Sequence, residues 1–363
     1  MEEEKRQEEL MSAASLVTES AAESLGVVPM EIDWTPEELN LLHKMDVGST
    51  SFSGIPFNTI AGLLYFLKTH RHACSPLGGV SSTGSKIHLE DFELCWMCNG
   101  TKACDWKLHV PDNFVESFKN CLRHASSRFI FGLIHMEDTD SAHANAWLYD
   151  KFDNSVEFFE PHGWSGSKSF NVNAMYDRLQ KFFVDNFNVR SVSRPYDFCP
   201  SIGIQKLQSR ERKQLDLGYC AAWSLWWIDY RLSNADSSLA RHELLTKAVE
   251  ELTKNRGKLT RFIRNYGDFI VRERNRLLEA AYKRMAGHPI DKQRLKRLSE
   301  MERRSNTIEA RMESTRAPPY ELEQWRIENE KLILNLSKLK KISGRRLDEY
   351  IVREVLHTMK EYE

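Results

Sequence analysis

A cysteine at the start of a long apolar and aromatic run is the first feature of this sequence that suggests chemistry. The segment Asp216–Leu232 reads DLGYCAAWSLWWIDYRL, which places Cys220 where a buried helix would begin. A thiol in the first turn of a helix lies beside unpaired backbone N–H groups, and these lower its pKa. Taken alone, such a cysteine is more typical of a small core residue than of a nucleophile. Its role depends on whether the chain supplies the other groups of a thiol hydrolase.

A cysteine nucleophile needs a base, a group that orients the base, and hydrogen-bond donors for the oxyanion. His143 is the best-placed base, because it opens a predicted strand directly after the polar loop EDTDSA. Glu160 ends the next predicted strand, and adjacent antiparallel strands bring the start of one beside the end of the other. The spacing predicts that Glu160 holds the imidazole of His143 and stabilises its cationic form. His162, just past the strand end, is the less favoured base.

Three glutamines upstream of the cysteine are candidates for an oxyanion donor: Gln205, Gln208 and Gln214. A side-chain amide can donate a hydrogen bond to the oxygen that becomes negatively charged during attack, and the backbone N–H of Cys220 would be the second donor. The residue types alone leave all three glutamines open.

The run HANAWLYDKFDNSVEFFEPHGWSG, which begins at His143, resembles the His-to-acid segment of adenain, the adenovirus processing protease. The interval of 17 residues between His143 and Glu160 is similar to that of the family, and so is the order histidine, acid, glutamine, cysteine. This order is shared by adenain and by the proteases of SUMO and ubiquitin-like proteins. The phrase GYCAAWSLWWIDYRLSN is most similar to adenain-like proteases of large nucleocytoplasmic DNA viruses. The resemblance covers residues 125–235.

The resemblance implies a cysteine endopeptidase that cleaves viral precursor proteins at Gly-containing sites. In that reaction Cys220 attacks, His143 is the base, Glu160 orients it, and Gln205 donates to the oxyanion. No metal ion or other cofactor is implied for this chemistry. Two alternatives remain open: an isopeptidase that removes ubiquitin or SUMO-like proteins, and an inactive protease-like scaffold that binds other proteins.

The sequence departs from the family pattern at several positions. Ala144 follows the histidine where cellular members have tryptophan, and Ala221 follows the cysteine where many members have glycine. Gln214 stands six residues before Cys220, which fits the usual interval, whereas CPSIGIQ resembles the viral G-x-Q segment and favours Gln205. The resemblance therefore leaves the choice between Gln205 and Gln214 open, with Gln205 preferred.

The order of predicted elements indicates an α+β domain and not a repeating βαβ pattern. Together with the resemblance it predicts a papain-like domain of the adenain and SUMO-protease type, with a small mixed sheet and a buried nucleophile helix. The apolar spacing predicts a helix over 55–70, strands over 128–136, 143–151 and 155–163, a helix over 172–187, and a short strand within 189–205.

Composition and charge divide the chain into three parts. Residues 1–33 are predicted to be a disordered acidic tail, 34–285 the protease-like domain, and 286–363 a charged, helical and coiled-coil-like extension. The net charge of −1 hides an asymmetry, because residues 241–363 hold 29 Lys and Arg against 20 Asp and Glu, a net of +9. The basic helices are predicted to bind nucleic acid or a protein partner, and adenain itself uses DNA as a cofactor.

Cysteine usage and hydropathy bear on the environment of the protein. Seven cysteines in a chain without an apolar leader predict reduced thiols in the virion or the host cytoplasm, and not secretion. No run of 18 apolar residues exists, so no membrane span is expected. A zinc site of Cys95, Cys98, Cys104 and His109 stays open, but their order differs from standard zinc knuckles and the alternating apolar residues favour a plain hairpin.

Overall fold

The computed structural model of the protein describes residues 56–77, 88–99, 104–138, 141–164, 170–211, 219–253 and 258–286, with Phe52 and Gly54. The predicted acidic tail, the extension after Ala286 and Gln214 lie outside the described residues. The division into three parts and the nucleic-acid or protein contacts of the basic extension therefore stay predictions.

Helices and strands alternate irregularly along the chain, as expected for an α+β domain. The helices are α1 (Pro56–Thr69), α2 (Phe114–Arg123), α3 (Val172–Phe187), α4 (Pro195–Phe198), α5 (Ile204–Glu211), α6 (Tyr219–Ser233), α7 (Arg241–Thr253) and α8 (Lys258–Ala286). The strands are β1 (Ala73–Cys74), β2 (Leu94–Asn99), β3 (Asp105–His109), β4 (Phe129–Glu137), β5 (Ala142–Asp150), β6 (Ser155–Phe159) and β7 (Ser191–Ser193). Each helix and strand predicted within the described ranges is present, but the strand predicted over 155–163 ends at Phe159.

One mixed sheet of seven strands forms the centre of the domain. Its order is β3-β2-β4-β5-β6-β7, and β1 pairs with β4 beside the β2 pairing. The pairs β2–β3, β4–β5 and β5–β6 are antiparallel, whereas β1–β4, β2–β4 and β6–β7 are parallel. The sheet is therefore mixed, as predicted, but larger than the small sheet expected, because the two-residue strand β1 carries no pattern of its own and the β2–β3 hairpin joins the same sheet through β4. The short strand predicted within 189–205 is β7.

A separate hydrophobic core covers each face of the sheet. The helix α6 packs on one face, and twelve of its fifteen residues are buried, including Trp223 and Trp227. The amphipathic helix α3 packs on the other face through one apolar stripe. Because side chains alternate along a strand, β5 sends Ala144 towards α6 and Asn145 towards α3. None of the helices in the described part of the chain is long and apolar enough to cross a membrane.

The cysteines differ from the expectation of reduced thiols. The structure contains disulfides between Cys74 and Cys121 and between Cys98 and Cys104, whose Cα atoms lie 5.7 and 5.3 Å apart. The first joins β1 to α2 across 47 residues, a contact that no local pattern predicts. The second closes the β2–β3 hairpin and uses two of the four suggested zinc ligands. The plain hairpin is therefore confirmed, and the reducing compartment stays a prediction.

A buried ion-pair network connects the strand β6 to the helices α6 and α7. Glu157 of β6 is 1% exposed, and its carboxylate accepts hydrogen bonds from Arg231 at 3.0 Å, Arg241 at 2.6 Å and the indole N–H of Trp227 at 3.2 Å. The two guanidinium groups come from α6 and α7. A carboxylate this deep is tolerated only because charged partners replace its hydration.

We expect Glu157→Ala to lower the free energy of unfolding by about 3–5 kcal/mol, since it leaves buried guanidinium charge without its counterion. Urea denaturation followed by tryptophan fluorescence measures the loss. Glu116→Ala is the matched control, because its pair with Arg123 is about two-thirds exposed on both sides and should be worth less than about 1 kcal/mol. Equal losses in the two variants would contradict a stabilising role for the network.

Candidate active site

The pairing of β5 with β6 brings together two of the predicted site residues, the base and the carboxylate. His143 is the second residue of β5, and Glu160 directly follows β6 on the neighbouring strand. The Nε2 atom of His143 lies 2.7 Å from Oε1 of Glu160, and both residues are at least 96% buried. A hydrogen bond of this length between an imidazole and a carboxylate fixes the plane and the tautomer of the ring.

Glu160 is held by three hydrogen-bond donors. Its Oε1 accepts from His143 and from the backbone N–H of His162 at 3.0 Å, and its Oε2 accepts from Nδ2 of Asn145 at 3.0 Å. Burial alone would raise the pKa of the Glu160 carboxyl, but the charge and hydrogen bond of His143, aided by His162, lower it below its ordinary value. The carboxylate is therefore ionised at neutral pH although it is buried.

Asn145 and Tyr176 are site residues that the sequence analysis missed. Asn145 is fully buried and donates a second hydrogen bond, at 2.7 Å, to the hydroxyl of Tyr176 on α3. It lies two residues after His143 and so on the same face of β5, a periodicity that could have identified it. Tyr176 carried no comparable signal, because its contact with Asn145 spans 31 residues. The pair fixes the oxygen of Glu160 that His143 does not use.

Cys220 lies in the first turn of α6, at the end of the site opposite Glu160. Its thiol is hydrogen-bonded to the His143 ring and to the backbone N–H groups of Ala144 and Ala221. Burial raises the pKa of the thiol, but these partners, with the positive charge of His143 first among them, lower it below its ordinary value. The pKa of His143 is raised despite its burial, because Glu160 and Cys220 both favour the imidazolium. Both shifts favour a thiolate–imidazolium pair over the neutral thiol and imidazole.

The other free thiols show that burial by itself does not produce a reactive cysteine. Cys95 and Cys199 are as buried as Cys220, and burial raises the pKa of each far above its ordinary value. Neither receives the hydrogen bond of an imidazolium. The contrast identifies Cys220 as the one free thiol of the three whose pKa is lowered and not raised.

Gln205 lies at the start of α5, and its side chain is 93% buried. Its backbone N–H donates to Pro161 O at 3.0 Å, which places the residue beside Glu160 in space. The side-chain Oε1, which is an acceptor, is buried without a hydrogen-bond partner, and a donor role would fall to the Nε2 group of the same amide. Gln208 instead accepts from the indole N–H of Trp223 at 2.7 Å and is engaged in the core. Of the described glutamines, Gln205 is the better placed as an oxyanion donor.

His162 stacks on His143, with ring centroids 4.5 Å apart and planes 20° apart. Burial, followed by the positive charge of His143, lowers the pKa of His162 to about 4. The ring is therefore neutral at pH 7. The imidazole that contacts the Cys220 thiol is that of His143, which favours His143 over His162 as the candidate base.

His143, Glu160 and His162 are also the one set of described residues whose ligand atoms could surround a metal ion, since these atoms lie within 4.8 Å of one another. The donor set does not favour a metal, because His143 Nε2 and Glu160 Oε1 already bind each other at 2.7 Å. The stacked planes of the two imidazoles also prevent their lone pairs from converging. The cluster fits proton transfer better than metal binding.

No protein-family model matches the chain. A curated protein of Acanthamoeba polyphaga mimivirus, named as the ankyrin repeat protein L371, is 26% identical over 265 residues. That match covers 65% of this chain. It covers 33% of L371, so the chain spans about a third of the length of that relative.

Among solved structures, the chain is similar to the Chlamydia trachomatis effector ChlaDUB1, with 9% identity and a TM-score of 0.35 over 69% of this chain and 94% of that one. It is also similar to the Chlamydia trachomatis effector Cdu1 bound to ubiquitin, with 10% identity and a TM-score of 0.30 over 60% of this chain and 91% of that one. Both TM-scores lie below 0.5, a likeness too low to assign an activity.

The lowered pKa of the Cys220 thiol gives a direct test of the site. We expect iodoacetamide to alkylate Cys220 with a pH midpoint below about 8.5, the ordinary value for a thiol. Glu160→Gln should raise the midpoint, since loss of the carboxylate charge lowers the pKa of His143 and removes the imidazolium that stabilises the thiolate. Mass spectrometry of tryptic peptides measures each site, and Cys95 and Cys199 are internal controls that should stay unmodified in the native protein. A midpoint unchanged in Glu160→Gln would show that Glu160 does not set the charge state.

Proposed function

We propose that the protein is a cysteine peptidase with Cys220 as nucleophile, His143 as base and acid, Glu160 as the orienting carboxylate and Gln205 as oxyanion donor. The observation that carries this proposal is the continuous chain of hydrogen bonds from Cys220 through His143 to a buried, ionised Glu160. The same three groups in the same order form the working unit of thiol hydrolases.

The geometry supports a two-stage hydrolysis. The Cys220 thiolate attacks the carbonyl carbon of the scissile amide, and the N–H groups of Cys220 and Gln205 stabilise the oxyanion. The His143 imidazolium then gives its proton to the departing amine nitrogen, which leaves a thioester on Cys220. Neutral His143 takes a proton from water as the hydroxide attacks the thioester, and the acid is released together with the Cys220 thiolate beside the His143 imidazolium. Glu160 remains ionised throughout and stabilises each cationic state of His143.

The position of the thiol favours substrates with a small residue at the cleaved bond. Cys220 is only 8% exposed, so the carbonyl that it attacks must enter a recess. A glycine offers its carbonyl without a side chain that would collide with the walls. This argument supports cleavage after a Gly-containing motif, in viral precursor proteins or at the C-terminal tail of a ubiquitin-like protein.

We expect Cys220→Ala to lower turnover of a fluorogenic Gly-Gly peptide amide on the order of 10³-fold or more, because the covalent route is lost. Alanine is tolerated in the first turn of a helix, so the circular dichroism spectrum should stay unchanged. Cys95→Ala is the matched control, since it removes a buried thiol that does not contact His143 and should keep turnover. Full activity in Cys220→Ala would exclude this cysteine as the nucleophile.

The oxyanion donor is tested by comparing two glutamines. We expect Gln205→Ala to lower kcat by about 10²- to 10³-fold, the usual cost of one oxyanion donor, while Gln214→Ala stays near the wild-type value. Both variants should keep the alkylation midpoint of Cys220, because the donor acts on the substrate oxygen and not on the thiol. The reverse ranking would assign the donor role to Gln214.

Two further assays distinguish the isopeptidase and the inactive scaffold from the proposed endopeptidase. Reporter amides on the C-termini of ubiquitin and SUMO, run beside the free peptide, distinguish an isopeptidase, which should cleave the folded proteins more efficiently. A vinyl sulfone probe that labels Cys220 excludes an inert scaffold. The thiolate–imidazolium pair favours an active enzyme, because a domain that only binds has no need of an ionised thiol.

A further inference from the structure

Two loops at the candidate site meet at a pair of glycines. The acid loop, Glu160–Trp164, follows β6, and the glutamine loop, Pro200–Gln205, leads into α5. A β-carbon on Gly203 would collide with the backbone of Gly163 and Pro161, and one on Gly163 would lie 2.5 Å from backbone atoms of Gly203 and Pro200. These obstacles are backbone atoms, which cannot move aside as a side chain can.

Three backbone hydrogen bonds, each 3.0 Å long, fasten the glutamine loop to the acid loop. They run from Trp164 N–H to Pro200 O, from Gly203 N–H to His162 O, and from Gln205 N–H to Pro161 O. Each bond needs the loops to approach as closely as the two glycines allow. Gly163 also has φ +91°, a backbone conformation that other residues adopt only with strain.

This contact sets the position of Gln205 relative to Glu160. The backbone of Gln205 is bonded to Pro161, the residue directly after the carboxylate. Its side chain is 93% buried, with an amide oxygen that has no partner. Cys220 and His143 are carried instead by α6 and β5, and Glu160, the first residue of the acid loop, is held to β5 by its hydrogen bonds with His143 and Asn145.

We propose that Gly203, packed against Gly163, is a positioning residue that seats the glutamine loop on the acid loop and thereby places the Gln205 amide at the oxyanion. The inference rests on the proposed peptidase function. A side chain at Gly203 would push the loops apart and move Gln205, while the thiolate–imidazolium pair stays intact. A positioning role for Gly203 therefore predicts a lower kcat with an unchanged alkylation midpoint of Cys220, whereas a general loss of stability would change both.

The test uses the full-length chain and the Gly-Gly peptide amide. Gly203→Ala should lower kcat by about 10²-fold, close to the effect of losing the donor itself, with KM changed by less than about threefold. The alkylation midpoint of Cys220 should remain at the wild-type value, which a variant with a generally loosened fold would not show. Gly267→Ala is the control, because its added β-carbon would meet only the side chain of Phe52, and it should keep the wild-type kcat.

A double-mutant cycle tests whether Gly203 acts through Gln205. If it does, Gly203→Ala combined with Gln205→Ala should be no slower than Gln205→Ala alone. Multiplying losses, or a wild-type kcat in Gly203→Ala, would overturn the proposal. Absence of hydrolysis in the wild-type protein, with Cys220 still alkylated, would instead refute the proposed function.

If Gly203→Ala fails to fold, amide hydrogen exchange on the wild-type protein tests whether the glutamine loop is bonded to the acid loop. The N–H groups of Gly203 and Gln205 should exchange as slowly as those of the central strand β5, since both are bonded within one rigid contact. Exchange at the rate of a free loop would show that the two loops are not fastened together and would overturn the proposal.

Discussion

Glu160 keeps a negative charge with 1% of its surface exposed, and the arrangement of the site follows from that constraint. A buried carboxylate stays ionised only when charged or hydrogen-bonding partners replace its water. His143, Asn145 and the His162 N–H supply them, and His143 does so as a cation. The positive charge of His143 in turn lowers the pKa of the Cys220 thiol. The pKa of the thiol therefore depends on the charge of Glu160, which reaches it through His143.

The sheet makes this chain of charges possible. Antiparallel pairing of β5 with β6 sets His143 beside Glu160, and α6, packed against β5 through Ser224 and Ala144 O, carries Cys220 to the other side of the imidazole. His143 and Cys220 are thus fixed within regular backbone structure, and Glu160 directly follows a strand. Gln205, at the start of α5, is reached through a loop, and the proposed role of the close glycine contact applies to that loop.

Much of this architecture could be predicted because it is locally encoded. The alternation of β4 to β6, the turn between β5 and β6 and the apolar stripe of α3 each lie within a few residues, and the contact between His143 and Glu160 follows from that strand pairing. The catalytic roles remain a proposal. What could not be predicted depends on contacts between distant segments: the pairing of β1 and β2 along β4, the disulfide Cys74–Cys121, and the hydrogen bond of Asn145 to Tyr176.

The strand β6 leads to two buried carboxylates on opposite faces of the sheet, and their partners decide what each can do. Glu157 faces α6 and is neutralised by Arg231 and Arg241, and a guanidinium group is a permanent cation. Glu160 faces α3 and is neutralised by an imidazolium, which can give its proton to a leaving group and take one from water. A permanent cation beside Glu160 would keep the carboxylate buried and ionised but could not give a proton to a leaving group, so the proposed proton transfer depends on a histidine at position 143.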